Sequence, residues 1–153
     1  MDDDPHLDED WLRILISNRQ DQPVDEEALR ALARETLRGE GIDRAELSVS
    51  FVGQDEIAGL HERFMDEAGP TDVLSFPLDD VDEAKERGSV RLLGDVVVAP
   101  AEAARNNPDD PEAELRLLLV HGVLHLLGYD HEDDGARIRM WERQERYSGV
   151  RAP

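Results

Sequence analysis

Three histidines stand out in the most apolar stretch of the chain, LLLVHGVLHLLGYDH at residues 117–131. His121 and His125 are four residues apart, so on a helix they project from one face, one turn apart. Gly128 can adopt a left-handed conformation and turn the chain back, which would bring His131 to the same face. Burying three imidazoles without a shared partner would cost on the order of 1–3 kcal/mol each. The pattern therefore predicts a zinc ion bound by three histidines, with the fourth coordination position open to water, as in catalytic zinc sites.

The spacing of these histidines matches H-x-x-x-H-x-x-G-x-x-H, the ligand pattern of the metzincin proteases. In those enzymes the residue after the first histidine is a glutamate that acts as the general base, whereas here it is Gly122. A zinc metallopeptidase is therefore the alternative to weigh, with the metal ligands present and the base for peptide hydrolysis missing.

The helix that carries the first two histidines has clear predicted boundaries. Asp110 is placed to be its N-cap and Pro111 its first residue. From Leu115 to Leu127 the segment is apolar on nearly all sides, which is typical of a central buried helix. Gly128 is expected to end the helix.

The rest of the chain alternates strand and helix patterns. We predict strands at residues 11–18, 46–53, 70–77 and 90–100, and the unbroken valine run in the last of these indicates burial on both faces. Further helices are predicted from an Asp25 cap to Gly39, at about 55–64, at 101–106 and at roughly 133–148. The first of these helices has an apolar stripe made of Ala28, Leu29, Leu32, Ala33, Thr36 and Leu37. Residues 78–89 are predicted to form a polar loop.

Composition limits the other classes of protein. The chain has 153 residues, enough for one domain, which we place at residues 11–153 after an acidic, disordered tail at residues 1–10. It has no cysteine, so disulfides and thiolate metal sites are excluded. The acidic start does not resemble a signal peptide, and no apolar run approaches the roughly 18 residues of a membrane span. We therefore expect a soluble, cytoplasmic protein.

The charge balance by itself argues against a nucleic-acid partner. The formal net charge is −20, from 37 acidic and 17 basic residues, which indicates a well-solvated acidic surface. One local basic patch can still bind phosphate, however. Of the 17 basic residues, 16 are Arg, the side chain best suited to forked phosphate contacts.

Three segments together resemble the YbeY family of bacterial endoribonucleases, the rRNA maturation factors. They are HGVLHLLGYDH at residues 121–131, GPTDVLSFP at residues 69–77 and LGDVVVAP at residues 93–100. The resemblance covers about residues 11–148. It implies an α+β, zincin-like fold, in which a small mixed β-sheet packs against helices and a buried zinc-binding helix lies at the centre.

The resemblance also implies a function. It implies one Zn²⁺ per chain, bound by His121, His125 and His131, and a metal-dependent endoribonuclease specific for single-stranded RNA. The implied role is 3′-end maturation of small-subunit rRNA, together with ribosome quality control. The implied partners are this rRNA, the small ribosomal subunit and ribosome-assembly proteins, without a membrane.

Three further residues are candidates for the site. Asp130 is adjacent to His131 and could orient a histidine, although a solvated turn residue is an equal alternative. Thr71 and Ser75, in the predicted strand at residues 70–77, offer hydroxyl groups to a substrate, or else only pack or cap.

One departure from the family concerns phosphate binding. Family members commonly carry Tyr-Arg just before the PTDVLSFP segment, where this chain has Phe64 and Met65. Arg63 lies two residues before Met65, about 200° away around a helix. Arg63 can take the catalytic role of the family's arginine only if the helix predicted at about residues 55–64 ends before Met65. The other candidates for phosphate contact are Arg91, Arg105 and Arg116, of which we take Arg116 as substrate-binding.

The residues leave several alternatives open. A ribosome-assembly factor with a purely structural zinc is one, although an open fourth coordination position favours catalysis. Three imidazoles would also bind nickel, copper or cobalt. The attacking group is either a metal hydroxide or the RNA's own 2′-OH, and on both paths an arginine should stabilise the negative charge that develops on phosphate.

Overall fold

The computed structural model describes residues 11–65, 71–78, 90–129 and 133–150 of the chain. The elements follow in the order β1 (Trp11–Arg19), α1 (Glu26–Gly39), β2 (Arg44–Val52), α2 (Gln54–Met65), β3 (Val73–Pro77), β4 (Arg91–Val98), α3 (Pro100–Asn106), α4 (Pro111–Leu126) and α5 (Asp134–Ser148). Each predicted strand and helix is present, and only the ends shift, by a few residues. The predicted tail at residues 1–10 and nearly all of the predicted loop at residues 78–89 lie outside the described residues.

The four strands form one mixed sheet in the order β1-β2-β4-β3. β1 is parallel to β2 and β2 is parallel to β4, whereas β3 runs antiparallel to β4 at the edge. β4 has a neighbour on each side, and its three consecutive valines are all buried, as the unbroken apolar run predicted. The fold is therefore the expected α+β arrangement, in which a small mixed sheet packs against helices.

Helix α1 shows how the sequence sets a buried face. Asp25 caps it by accepting a hydrogen bond from the backbone N–H of Ala28 at 3.1 Å. The stripe at helical spacing is buried, and consists of Leu29, Leu32, Ala33, Thr36 and Leu37. Ala28, which the predicted stripe included, is exposed because it lies about 100° around the helix from Leu29, outside the arc that faces the core.

Helix α4 is the central helix of the fold. It packs against β3, β4, α1, α3 and α5. Asp110 accepts a hydrogen bond from the backbone N–H of Ala113 at 3.1 Å, and Pro111 is the first helical residue. Its buried residues are Ala113, Leu115, Leu118, Leu119, Val120, Gly122, Val123, Leu124 and Leu126. This confirms the predicted central buried helix, which gives the two helical histidines a rigid support.

Helix α4 is strongly apolar but short, with 16 residues. Within the described ranges, no helix, α4 included, combines the length and the apolar character needed to cross a lipid bilayer.

Candidate metal centre

The two helical histidines lie side by side on α4. The ring centroids of His121 and His125 are 4.5 Å apart and the ring planes meet at 76°, so the edge of one ring faces the other. Both side chains are half-buried at a cleft of about 340 Å³, whose other described lining residues belong to β3: Val73, Leu74, Ser75 and Pro77. Two imidazoles in this arrangement are suitable ligands for one zinc ion. The described part of the donor set therefore fits the predicted metal.

Helix α4 ends in a turn at Gly128, as predicted. Gly128 has a φ of 101°, in the left-handed region that glycine tolerates. Its N–H donates to the carbonyl of His125, and the N–H of Tyr129 donates to the carbonyl of Leu124, both at 3.1 Å. This pair of bonds is the Schellman arrangement at a helix C-terminus. The described chain ends at Tyr129 on this side of the turn, so the return of His131 to the face of His121 and His125 stays a prediction.

Asp130 and His131 lie outside the described residues, so the third ligand and its neighbour remain predictions. Among the residues that are described, no group of three or more His, Cys, Asp and Glu side chains is arranged to hold a metal ion. His121 and His125 are thus the part of the predicted site whose placement is known. They lie together on one face of α4, as their spacing predicted.

His121 is held from the neighbouring helix α5. Its Nδ1 atom is hydrogen-bonded to the side-chain oxygen Oε1 of Gln144, 23 residues further along the chain. Gln144 is buried, with 7% of its surface exposed. The contact ties one ring nitrogen of His121 to α5, so Nε2 is the ring nitrogen through which His121 can bind a metal.

A second polar contact anchors the turn that follows α4. The hydroxyl groups of Tyr129 and Tyr147 each donate to a different carboxylate oxygen of Glu40, and Nε of Arg143 lies 3.7 Å from Glu40 Oε2. Burial, with the hydrogen bond to Glu40 as the next cause, raises the pKa of Tyr147 to about 12. The same two causes, burial first, raise the pKa of Tyr129 above its ordinary value. Both hydroxyl groups are therefore protonated donors at neutral pH, and the bond from Tyr129 ties the described end of the turn to Glu40.

Comparison with known proteins identifies the family. A family model described as Endoribonuclease YbeY matches residues 15–149. The chain belongs to the YbeY family of endoribonucleases. A relative named Endoribonuclease YbeY from Acidothermus cellulolyticus is 45% identical over 143 residues, which cover 87% of each chain. Another of the same name from Beutenbergia cavernae is 45% identical over 137 residues, covering 86% of this chain and 91% of the relative.

A solved structure agrees with the fold. The solution structure of TM1509 from Thermotoga maritima is 32% identical in sequence and has a TM-score of 0.60, covering 90% of this chain and 87% of the other. Membership of the YbeY family makes the chain a hydrolytic endoribonuclease and implies that it depends on a metal. The zincin-like α+β architecture expected from the sequence is consistent with this family.

Gly122 distinguishes this YbeY site from a peptidase site. A Cβ atom at position 122 would lie 2.6 Å from Cγ1 of Val96, and 3.3 Å from both Oγ of Ser75 and Cγ2 of Val73. These separations are shorter than the normal contact distance of about 3.5–4.0 Å. The glutamate that serves as the base in metzincins therefore has no room at this position. The packing and the family both favour RNA hydrolysis over the metallopeptidase alternative.

The two hydroxyl residues predicted to contact substrate are placed differently. Ser75 lines the cleft, but its Oγ donates a hydrogen bond to the backbone carbonyl of Gly122 at 2.9 Å. This hydrogen bond links β3 to α4. It matches the alternative given for Ser75 in the sequence analysis, a hydroxyl that serves packing. Thr71 is half-buried before the start of β3 and is not among the described residues that line the cleft.

The two arginines favoured for phosphate contact lie away from the described lining of the histidine cleft. Arg116 is five residues from His121, roughly 140° around the helix. It lines a different cavity and donates to the carbonyl of Ser148 at 3.3 Å. α2 remains helical to Met65, and the guanidinium of Arg63 lies over the ring of Phe64 at 5.8 Å. A helix that ends before Met65, the condition for Arg63 to replace the family's arginine, is therefore not met.

The other two arginine candidates lie near element ends. Arg105 pairs with Glu102 at 3.4 Å near the end of α3. Arg91 begins β4 and lines a separate cavity with Glu40 and Tyr129, and its buried Nε has no hydrogen-bond partner among the described residues. Neither residue is among the described residues that line the histidine cleft.

Two residues that hold this site were not predicted from the sequence. Gln144 carried a signal, because it lies four residues from both Met140 and Ser148 on the buried side of α5. A polar side chain within such a stripe needs a partner. Glu40 carried no signal, since 89 and 107 residues separate it from its two tyrosine partners.

Proposed function

We propose that this chain is a zinc-dependent endoribonuclease that cleaves single-stranded RNA, acting in 3′-end maturation of small-subunit rRNA and in ribosome quality control. Residues 11–153 act as one catalytic domain in the cytoplasm, with one Zn²⁺ bound by His121, His125 and His131. The observation that carries the proposal is the pair of half-buried imidazoles at a cleft on α4, in a chain of an endoribonuclease family.

The proposed mechanism assigns each group a role at the cleft. When bound, zinc supplies Lewis acidity toward a phosphoryl oxygen and lowers the pKa of water. His121 and His125 would hold the ion from a rigid, buried helix, so little reorganisation of these ligands would accompany the reaction. The apolar side chains of β3 form one wall of the cleft, and this low-polarity wall strengthens electrostatic interactions with a phosphodiester group. Asp130 orients one of the histidines from outside the ligand set.

The acidic surface determines how RNA binds. The formal net charge of −20 repels a polyanion, so attraction depends on a few arginine contacts that release counterions. We expect weak RNA binding that falls steeply as salt is raised. Recruitment by the small ribosomal subunit and by ribosome-assembly proteins then raises the local concentration of the RNA substrate.

The test combines metal analysis with cleavage assays on the whole chain. Purified protein should contain about one zinc per chain and should cut a labelled single-stranded RNA, but not its duplex or an unfolded polypeptide. His125→Ala should lose most of the zinc and the cleavage, because two remaining imidazoles bind zinc weakly. His61→Ala is the matched control, since His61 lies on α2 away from the described cleft lining, and it should keep both.

Several outcomes would overturn the proposal. Full zinc occupancy in His125→Ala would remove the metal-site assignment. Chelator-sensitive proteolysis without RNA cleavage would favour the metallopeptidase. Zinc binding without cleavage of any RNA would favour a structural zinc. The product ends also identify the attacking group, because a 2′,3′-cyclic phosphate forms only if the RNA's own 2′-OH attacks.

A further inference from the structure

We propose that Gln144 is a positioning residue for the metal centre: its amide oxygen holds His121 in the tautomer whose Nε2 lone pair can bind a cation. The proposal rests on the zinc site proposed above, and extends it to a residue outside the histidine motif. It is carried by the contact between Oε1 of Gln144 and Nδ1 of His121 and by the burial of Gln144.

The chemistry of the two groups determines where the ring proton lies. A neutral imidazole carries one N–H and one lone pair, on different nitrogens. The amide oxygen of Gln144 can only accept, so the proton of His121 must be on Nδ1, and the lone pair on Nε2. A flipped amide would donate to Nδ1 instead and would move the ring proton to Nε2. The amide orientation in the structure therefore selects the tautomer that binds a metal.

The surroundings of Gln144 hold this amide in place. The side chain is 7% exposed and lies on the face of α5 that packs against α4. One turn before it, Met140 is buried in the core. A buried polar side chain in a packed interface has few alternative rotamers. The ring of His121 is thus fixed by α5 before any metal arrives.

Partners of this kind have a measurable effect in metal sites generally. A ligating histidine almost always donates its second ring N–H to an acceptor, and loss of that acceptor typically lowers metal affinity by roughly 10- to 100-fold. We expect the same reduction in zinc affinity when Gln144 loses its acceptor. His125 should still bind, so the loss should be smaller than the loss caused by His125→Ala.

The experiment compares two substitutions at one position. Gln144→Met is close in size but has no acceptor, whereas Gln144→Glu keeps an oxygen at the same place. Ser148→Ala is the matched control, because it removes a buried hydroxyl from the same face of α5 that bonds to the backbone carbonyl of Gln144 and not to its side-chain amide. The first measurement is the proton position on His121 in the metal-free protein, from two-bond ¹H–¹⁵N correlations of the ring. The second is the zinc dissociation constant, from competition with a chelator of known affinity.

The expected result has three parts. Wild-type protein and Ser148→Ala should show His121 protonated on Nδ1, with equal zinc affinity. Gln144→Met should show an increased Nε2-protonated population and a roughly 10- to 100-fold weaker affinity. Gln144→Glu should restore the Nδ1-protonated form and the affinity.

Other results would overturn the proposal. Wild-type His121 protonated on Nε2 would overturn it without any variant, even if Gln144→Met does not fold. Unchanged tautomer and affinity in Gln144→Met would also overturn it, as would an equal loss of affinity in Ser148→Ala. If the wild-type protein bound no zinc, the proposed function would fail and with it the role of Gln144 at a metal centre, whereas the tautomer in the metal-free protein would still decide whether Gln144 fixes the ring proton of His121.

Discussion

Replacing Gly122 with alanine tests the close packing between α4 and the sheet. The added Cβ would lie 2.6 Å from Cγ1 of Val96, roughly 1 Å inside a normal contact. Val96 is fully buried on an interior strand, and Ser75 and Val73 would also come within 3.3 Å of the new atom. Relief of these overlaps requires α4 or its neighbours on the sheet to shift.

The magnitude follows from two opposing contributions. Overpacking a well-packed core costs about 1–3 kcal/mol. Replacing an interior helix glycine with alanine stabilises the helix by about 1 kcal/mol. Three close neighbours at position 122 place the cost in the upper half of its range. The expected net effect is a loss of roughly 1–2 kcal/mol in the free energy of unfolding.

Urea unfolding followed by circular dichroism measures this difference. The matched control is Gly59→Ala, since Gly59 is an exposed glycine inside α2 and a Cβ there meets nothing within 4 Å. That substitution should stabilise the protein by about 0.5–1 kcal/mol. Both substitutions change helix propensity and the unfolded chain in the same way, so their difference isolates the packing at position 122.

The reasoning is refuted if Gly122→Ala stabilises the protein as much as Gly59→Ala does. A double-mutant cycle locates the cause more sharply. Val96→Ala removes Cγ1, so Gly122→Ala should cost less in that background, with a coupling of about 1 kcal/mol or more. Additive losses would show that the overlap with Val96 is not the source of the effect.

Two further predictions concern alkaline stability and RNA binding. The folded pKa of Tyr147, about 12, is above its ordinary value of 10, so the protonated form is favoured in the folded state. Its contribution to stability is complete below pH 10 and is lost as pH rises toward about 12. Tyr147→Phe should flatten the fall in unfolding free energy across that range, and an unchanged slope would contradict this. Met65→Arg introduces the residue that the resemblance to the family implies at this position, and should tighten single-stranded RNA binding by roughly 1–3 kcal/mol at fixed salt. Arg63→Ala should change the affinity for RNA less than Met65→Arg does, because α2 stays helical through Met65. Equal RNA affinity in wild type and Met65→Arg would show that the phosphate contact lies elsewhere.

The sequence was enough for the features that depend on neighbouring residues. The Asp110 cap, Pro111 and the turn at Gly128 determine where α4 begins and ends, and all three act within one helical turn. The placement of His121 and His125 on one face follows from helix geometry alone, because residues four apart are always one turn apart. The histidine pair was therefore predictable before any tertiary contact was known.

The tertiary structure decided which distant side chains meet. Gln144 reaches His121 only because α5 packs against α4, and Glu40 reaches Tyr129 because the end of α1 lies beside the turn after α4. Ser75 bonds to α4 because the register of β3 on β4 turns it toward that helix. Helix crossings and strand registers result from the packing of the whole core. Contacts across 23 to 107 residues of sequence therefore cannot be derived from local periodicity, which specifies only the face on which each residue lies.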